Sequence, residues 1–182
     1  MGAAVFLASL KTAGNRTITA TDTVSPSVTG TSGTVAVSAS AATQFSVSAP
    51  SAATAGAPLN FTVTARDAFN NTATSYSGTA HFISSDGAAT LPANSTLTNG
   101  VGGFSATLKT AGSQTIAATD TVSPSIMGTS AAIAVNSGTT TQFVVSAPSS
   151  ATAGNAFNLT VTARDAFNNT AMSYSGHGTL YQ

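Results

Sequence analysis

Apolar and polar residues alternate with a period of two along most of the chain, and Thr, Val, Ile and Phe are frequent in the alternating stretches. The clearest stretch places Leu59, Phe61, Val63 and Ala65 on one face, with Asn, Thr and Arg residues between them. This alternation is typical of strands that bury one face. No stretch has the 3.6-residue period of an amphipathic helix. The pattern predicts an all-β protein.

Residues 41–138 contain about seven short alternating stretches, separated by turn signals such as Pro50, the Asp67–Asn71 run and Pro124. Residues 87–99 hold a weak strand at most. Short strands at this spacing predict an antiparallel β-sandwich, with strands lettered A to G. We expect the following side chains in its core: Phe45, Val47, Phe61, Val63, Phe82, Phe104, Leu108, Ile116 and Val135.

The sequence repeats after 98 residues. Residues 43–78 match residues 141–176 at 29 of 36 positions, and residues 8–37 match residues 106–135 at 21 of 30. Two such units would need about 196 residues, and the chain has 182. One unit is therefore complete, and the other is divided between the two ends of the chain.

We predict three regions from this repeat. The N-terminal segment (residues 1–40) is the second half of a unit, with strands E to G. The central unit (residues 41–138) is complete. The C-terminal segment (residues 139–182) is the first half of a unit, with strands A to C. The opening residues MGAAVFLASL align with residues 100–109, so we expect a strand there and not a signal peptide.

The composition argues against several classes of function. Charged residues make up 5% of the chain, the net charge is zero, and there is no Cys or Trp. A neutral chain without a basic patch does not predict binding to nucleic acid or to anionic membrane, and no run reaches the ~20 apolar residues of a membrane span. Without Cys there is no disulfide framework and no thiolate metal site. Charge this sparse is also unusual for a cytosolic globular protein.

The run from Gln44 through Pro50 and Gly56 to Phe61-Thr-Val-Thr-Ala-Arg-Asp-Ala-Phe-Asn-Asn and Tyr76-Ser-Gly resembles a bacterial immunoglobulin-like repeat. The run from Lys109-Thr-Ala-Gly to Asp120 extends the resemblance. Such repeats occur in tandem in large prokaryotic surface proteins and invasin-like adhesins. The resemblance implies an immunoglobulin-like sandwich, an extracellular or cell-surface location and a spacer or adhesive role. It brings no catalytic residues.

Candidate chemistry is sparse. Asp22 and Asp120 occupy one repeat position, and His81 and His177 are not repeat equivalents. Paired-carboxylate catalysis needs two different carboxylates in one cleft, and no unit shows such a pair. The sequence therefore predicts no catalytic residue, no metal or cofactor site and no small-molecule substrate, and the protein is not expected to be an enzyme. Six Asn-x-Ser/Thr matches leave glycosylation open.

The runs Asp67–Asn71 and Asp165–Asn169 offer two interpretations. Asp and Asn accept hydrogen bonds from their own backbone in Asx-type turns, which is the favoured interpretation. The alternative is a weak calcium site, since the same residues carry hard oxygen ligands, although each loop supplies only one carboxylate.

The divided unit suggests how chains assemble. Each half has an apolar face without an opposing sheet, and such faces and edges are templates for pairing. Halves from two chains would rebuild a sandwich that lacks only the counterparts of residues 85–99, an edge segment. Such head-to-tail pairing does not close on itself and gives a homopolymeric filament. The predicted inter-subunit residues are Phe6, Leu10, Ile18, Val35, Val37, Phe143, Val145, Phe157, Leu159 and Val161.

Two other functions remain open from the sequence. The chain could be a passive spacer fragment of a tandem-repeat surface adhesin. It could also bind a carbohydrate or protein ligand itself, but three Tyr and no Trp give little support for an aromatic binding surface.

Overall fold

The computed structural model describes residues 2–180, in which all regular structure is β-strand. Within these residues there is no helix that could cross a membrane. The N-terminal segment has strands β1 (Gly14–Arg16), β2 (Thr19–Thr21), β3 (Thr29–Thr31) and β4 (Val35–Val37). The central unit has β5 (Gln44–Ser48), β6 (Ala52–Thr54), β7 (Pro58–Arg66), β8 (Thr79–Ser84), β9 (Ser95–Thr96), β10 (Val101–Thr107), β11 (Gly112–Gln114), β12 (Ile116–Asp120), β13 (Met127–Thr129) and β14 (Ile133–Asn136). The C-terminal segment has β15 (Thr140–Ser146) and β16 (Thr160–Asp165).

The central unit is built from three sheets, in an arrangement consistent with a β-sandwich. One sheet has the strand order β10-β7-β5, a second β13-β12-β8-β9 and a third β11-β14-β6. Neighbouring strands are antiparallel except for β6, which runs parallel to β14. The prediction of an all-β fold with antiparallel sheets is confirmed. Strands β6 and β13 were not predicted, because their short Ala, Thr and Gly sequences carry no apolar alternation.

The core lies between the β10-β7-β5 sheet and the facing strands. Phe61 on β7 packs edge-to-face against Phe82 on β8, with ring centroids 5.6 Å apart. Eight of the nine predicted core residues are buried, while Phe104 is only half-buried and packs against Phe82 from the rim. Several other buried core residues are not among the nine predicted: Ala55, Leu59, Ala73, Leu97, Ala106 and Ile133.

Several pairings recur 98 residues apart. Gly14 pairs with Val37 as Gly112 pairs with Val135, and the β2–β3 register equals the β12–β13 register. In the C-terminal segment, Val145 pairs with Val161 as Val47 pairs with Val63. Each segment therefore keeps the local hairpin or strand pair of the central unit.

In the described part of the two segments, strands that depend on a distant partner are absent. Residues 2–13 contain no strand, which corrects the predicted strand in the opening decapeptide. Their counterpart, β10, is held by pairing with β7, a partner that the N-terminal segment lacks. For the same reason the C-terminal segment has no third strand within residues 166–180. A strand needs ladder partners, and these segments do not supply them.

Residues 85–99 contribute more to the sandwich than the sequence predicted. They carry only the short edge strand β9, as expected, but Leu97 is fully buried in the core. Asp86 is also buried, and its carboxylate accepts hydrogen bonds from the backbone N–H groups of Lys109 and Thr110 at 2.6 and 2.9 Å. The segment is therefore more than an edge strand, because it supplies one core side chain and one buried hydrogen-bond acceptor.

Candidate functional site

The loop Asp67–Asn71 follows β7 and is ordered by its own first residue. One carboxylate oxygen of Asp67 accepts the backbone N–H groups of Phe69 and Asn71, both at 2.9 Å. Asn70 has a φ of 64°, a left-handed conformation that Asn tolerates better than other side chains. The loop Asp165–Asn169 repeats this geometry, with Asn168 at a φ of 66°. Both loops form the predicted Asx-type turn.

The first loop, Asp67–Asn71, contacts the N-terminal segment, and we call the contacts between them the N-terminal junction. The carboxamide of Asn71 accepts the N–H of Ala13 at 2.9 Å and donates to the carbonyl of Lys11 at 2.8 Å. The second carboxylate oxygen of Asp67 accepts the N–H of Ser40, on the connecting chain, at 2.9 Å. One Asp and one Asn thus bind both the neighbouring segment and the connection to it.

The second loop makes the same contacts between the C-terminal segment and the central unit, which form the C-terminal junction. The Asn169 carboxamide accepts the N–H of Ala111 at 2.9 Å and donates to the carbonyl of Lys109 at 2.8 Å. The carboxylate of Asp165 accepts the N–H of Gly138 at 2.8 Å. All three contacts match those of the N-terminal junction 98 residues earlier.

A phenylalanine ring lies at each junction, and only the C-terminal one meets a glycine, because the N-terminal segment has no counterpart of Gly56. At the C-terminal junction, the ring of Phe167 lies directly on Gly56, where a β-carbon would collide with it. Gly56 also has a φ of +83°, which favours glycine. At the N-terminal junction the counterpart ring, Phe69, is half exposed and has the ammonium group of Lys11 over it, 5.6 Å from the centroid.

The hydrogen bonds favour the turn interpretation over calcium binding. Both oxygens of Asp67 accept N–H groups, and the side-chain oxygen of Asn70 accepts the Gln44 amide at 2.9 Å. The oxygen of Asn71 accepts the N–H of Ala13. Calcium binds six to eight oxygens, so an ion here would have to displace these donors.

The junction carboxylates resist protonation. Burial alone raises the pKa of Asp67, but hydrogen bonds from the Asn71 side chain and from the N–H groups of Ser40, Asn71 and Phe69 outweigh it. They lower the pKa from 3.8 to about 2. The pKa of Asp165 is lowered by the corresponding donors, again against burial. Among the other aspartates, hydrogen bonds also lower the pKa of Asp86 and Asp120.

We therefore expect the stability of the chain to fall in acid. A carboxylate whose pKa is lower in the folded than in the unfolded state stabilises the fold above the unfolded value, near 3.9. That stabilisation is lost as the pH falls towards the folded value, which is about 2 for Asp67. The melting temperature, followed by circular dichroism, should be level from pH 7 to about pH 5 and then decline between about pH 4 and pH 2. A melting temperature that rises over the acid range would contradict the hydrogen-bonded carboxylates.

The predicted inter-subunit residues lie on exposed or half-exposed faces of the two segments. In the N-terminal segment Phe6 is largely exposed, and Leu10, Ile18, Val35 and Val37 are partly exposed. The C-terminal segment has five predicted residues that are partly exposed: Phe143, Val145, Phe157, Leu159 and Val161. No strand of one segment pairs with a strand of the other in the described part of the chain. The faces lie on separate segments, and their pairing between chains stays a prediction.

The junction residues were not predicted as a site. Both motifs were visible, because the Asp-Ala-Phe-Asn-Asn run and the Lys-Thr-Ala-Gly run each occur twice at a spacing of 98. The local sequence does not indicate that the last Asn of the Asp-Ala-Phe-Asn-Asn run binds the backbone of the Lys-Thr-Ala-Gly run in the preceding unit. The available signal was that both runs recur together with the same spacing of 98 residues.

Comparisons with known proteins give little further guidance. No family model and no curated protein matches the chain. Among solved structures, the chain is similar to surface layer protein SbsC, domains 4–9, at 23% sequence identity and a TM-score of 0.41. The aligned part covers 79% of this chain and 23% of that chain. A similarity of this level does not establish a shared function.

Proposed function

We propose that the protein is a non-enzymatic structural element built from tandem immunoglobulin-like sandwiches and located outside the cell or at its surface. The observation that carries this proposal is the junction, which occurs twice with the same three hydrogen bonds. The strand order supports the immunoglobulin-like assignment, because β5, β7 and β10 (A, B and E) share one sheet and β8 and β12 (C and F) pair in another. The low charge and the resemblance to surface-protein repeats support the location.

The junction suits a spacer because it fixes one unit on the next. At each junction the side chains of one Asp and one Asn, which we call the clamp, bind backbone groups of the neighbouring unit and of the connecting chain. Both the position and the rotation of the units are therefore restricted. A tandem array joined in this way extends over a distance proportional to the number of units. Apart from contact between units, the array needs no ligand or cofactor.

Removing one clamp should loosen one junction and leave the other intact. In Asn169→Ala, the N–H of Ala111 loses its acceptor, and we expect its hydrogen exchange to accelerate at least about tenfold, as for loss of about 1.4 kcal/mol of protection. The N–H of Ala13, clamped by Asn71, should exchange as before. Asn71→Ala is the matched control and should reverse the pattern. Unchanged exchange in both variants would show that the clamps do not hold the units together.

Polymerisation is a second candidate function. It is supported by the exposed apolar faces of the two segments and by the pairings that each segment shares with the central unit. In this proposal the C-terminal segment of one chain and the N-terminal segment of the next form a composite sandwich, giving a head-to-tail filament. The partner is therefore the protein itself, and the interface consists of the residues predicted above.

The composite would lack two stabilising features of the central unit. It has no counterpart of Leu97, and filling that position is worth about 2–5 kcal/mol, as judged from Leu→Ala substitutions in other cores. It also has no counterpart of Asp86, which satisfies the N–H groups of Lys109 and Thr110. The composite joint should therefore be weaker than the central unit. This difference favours the spacer as the first proposal.

Truncation tests polymerisation directly. Deleting residues 1–37 or residues 141–182 should each abolish filaments seen by electron microscopy, because each truncated chain lacks one half of the composite. The central unit should keep its β-sheet circular dichroism in both variants. Filaments that persist after both deletions would exclude the composite joint, and an intact chain that stays monomeric at high concentration would leave the spacer function.

A further inference from the structure

The C-terminal segment contains an apolar groove of about 730 Å³. It is lined by Phe143, Val145, Val161, Ala163 and Tyr174, together with the chain around Gly176. We call it the C-terminal groove. The rings of Phe143 and Tyr174 meet edge-to-face at 5.4 Å, as the rings of their counterparts in the central unit do at 5.5 Å. This ring pair therefore has the geometry that its counterpart has in the complete unit.

The central unit shows what covers such a groove. The counterparts of its lining residues are Phe45, Val47, Val63, Ala65 and Tyr76, and the first four are buried. The β12–β13 hairpin lies over them. Gly128 on β13 sits so close to the backbone of Phe45 that a β-carbon would collide with it. The hydroxyl of Tyr76 donates a hydrogen bond to Oδ2 of Asp120, at the end of β12.

The N-terminal segment carries the matching hairpin. Strands β2 and β3 pair in the same register as β12 and β13, and Gly30 stands at the position of Gly128. Oδ1 of Asp22 accepts the N–H groups of Val24 and Ser25, as Oδ1 of Asp120 accepts those of Val122 and Ser123. Oδ2 of Asp22 corresponds to the oxygen that receives the tyrosine hydroxyl in the central unit.

We propose that the C-terminal groove of one chain receives residues 14–37 of a second copy, in the register of the central unit. In this register the hydroxyl of Tyr174 donates to the Asp22 carboxylate of the second copy. In the same chain, residues 14–37 follow Ala13, which is bound at the N-terminal junction, whereas the groove lies in the segment that is bound at the C-terminal junction. The inference rests on polymerisation, the second candidate function, and specifies which segment fills the groove and in which strand register.

Engineered cysteines test the register, since the chain has no Cys. In the central unit Thr119 pairs with His81, and their counterparts are Thr21 and Thr179. Directly paired residues on antiparallel strands have Cα atoms about 4.5–5.5 Å apart, within the range that a disulfide spans. The double variant Thr21→Cys/Thr179→Cys should therefore form a ladder of disulfide-linked multimers after mild oxidation. Each single variant should give no species larger than a dimer.

A matched pair displaced along the strand controls for random collision. In Thr21→Cys/His177→Cys the second cysteine lies two residues away, at a diagonal distance of about 7–8 Å, which a disulfide does not span without backbone movement. This pair should give at least about fivefold less multimer. Equal ladders from both pairs would overturn the register. An intrachain disulfide in a monomer would overturn the second copy as occupant.

The predicted hydrogen bond provides an independent measurement. Tyr174→Phe removes only the hydroxyl and should raise the concentration needed for assembly about tenfold in analytical ultracentrifugation, because a bond to a carboxylate is lost. An unchanged assembly concentration would overturn the Tyr174–Asp22 contact. If the intact chain assembles but the matched cysteines do not form a ladder, this inference fails and polymerisation stands. If the intact chain does not assemble, both fail.

Discussion

Val63→Asp should unfold the central unit. Val63 lies in the middle of β7, paired with Val47 on one side and Gly102 on the other, and its side chain is fully buried. A carboxylate there would have no cation or donor to compensate for the loss of water, a mechanism that accounts for the largest effects of single substitutions. We expect a loss above about 4 kcal/mol, against a typical domain stability of 5–15 kcal/mol. Loss of the β-sheet circular dichroism signal and of slowly exchanging amides would show it.

Val161→Asp is the matched control for this substitution. Val161 is the counterpart of Val63 in β16, but it is 42% exposed. A carboxylate there stays in contact with water, so the melting temperature of the central unit should change by no more than a few degrees. Unfolding of the central unit by both variants would mean that burial does not distinguish the two positions. If the chain polymerises, Val161→Asp should also prevent joining, because the residue belongs to the predicted interface.

Strand prediction succeeded where the information is local. The alternation from Leu59 to Ala65 led directly to β7, and Phe45 and Val47 led to β5. The run Ala52–Thr54 carries no such pattern, yet it forms β6 because β14 lies beside it and supplies a parallel partner. Leu97 stands in a stretch without alternation and still fills the core. Its burial depends on the packing of distant strands, which a local pattern does not contain.

The opening decapeptide is a second case in which the local sequence does not determine whether a strand forms. Residues 2–10 align with sequence that forms β10 in the central unit, but they form no strand. The difference lies in the partner, since β10 pairs with β7 over its whole length. The junction was missed for a related reason, because it depends on contacts between Asn71 and residues 58 and 60 positions away in sequence. Repetition predicted the units but not how one unit holds the next.

Asp86→Ala should destabilise the central unit by about 3 kcal/mol or more. The carboxylate of Asp86 accepts the N–H groups of Ala88, Lys109 and Thr110 and the hydroxyl of Thr110, at 2.6–3.0 Å. Removing it deletes four hydrogen bonds to a charged group, each worth about 1.5–3 kcal/mol, and the exposed residues Ala88 and Thr110 recover part of this loss by binding water. Urea unfolding followed by circular dichroism measures the loss as a lower midpoint with an unchanged slope.

Asp22→Ala is the control, because Asp22 is exposed and its turn in the N-terminal segment lies outside the central unit. It should leave the free energy of unfolding of the central unit, calculated from the urea midpoint, within about 0.5 kcal/mol of its original value.

The comparison also bears on assembly. Lys11 and Thr12 are the counterparts of Lys109 and Thr110, and a composite sandwich would give their N–H groups no aspartate. Asp86→Ala therefore imposes on the central unit one of the two defects that the composite would carry. A loss of several kcal/mol would mean that a composite joint is intrinsically weak and would favour the spacer. A loss below about 1 kcal/mol would show that a sandwich tolerates the absence of this aspartate, and it would strengthen the polymer proposal.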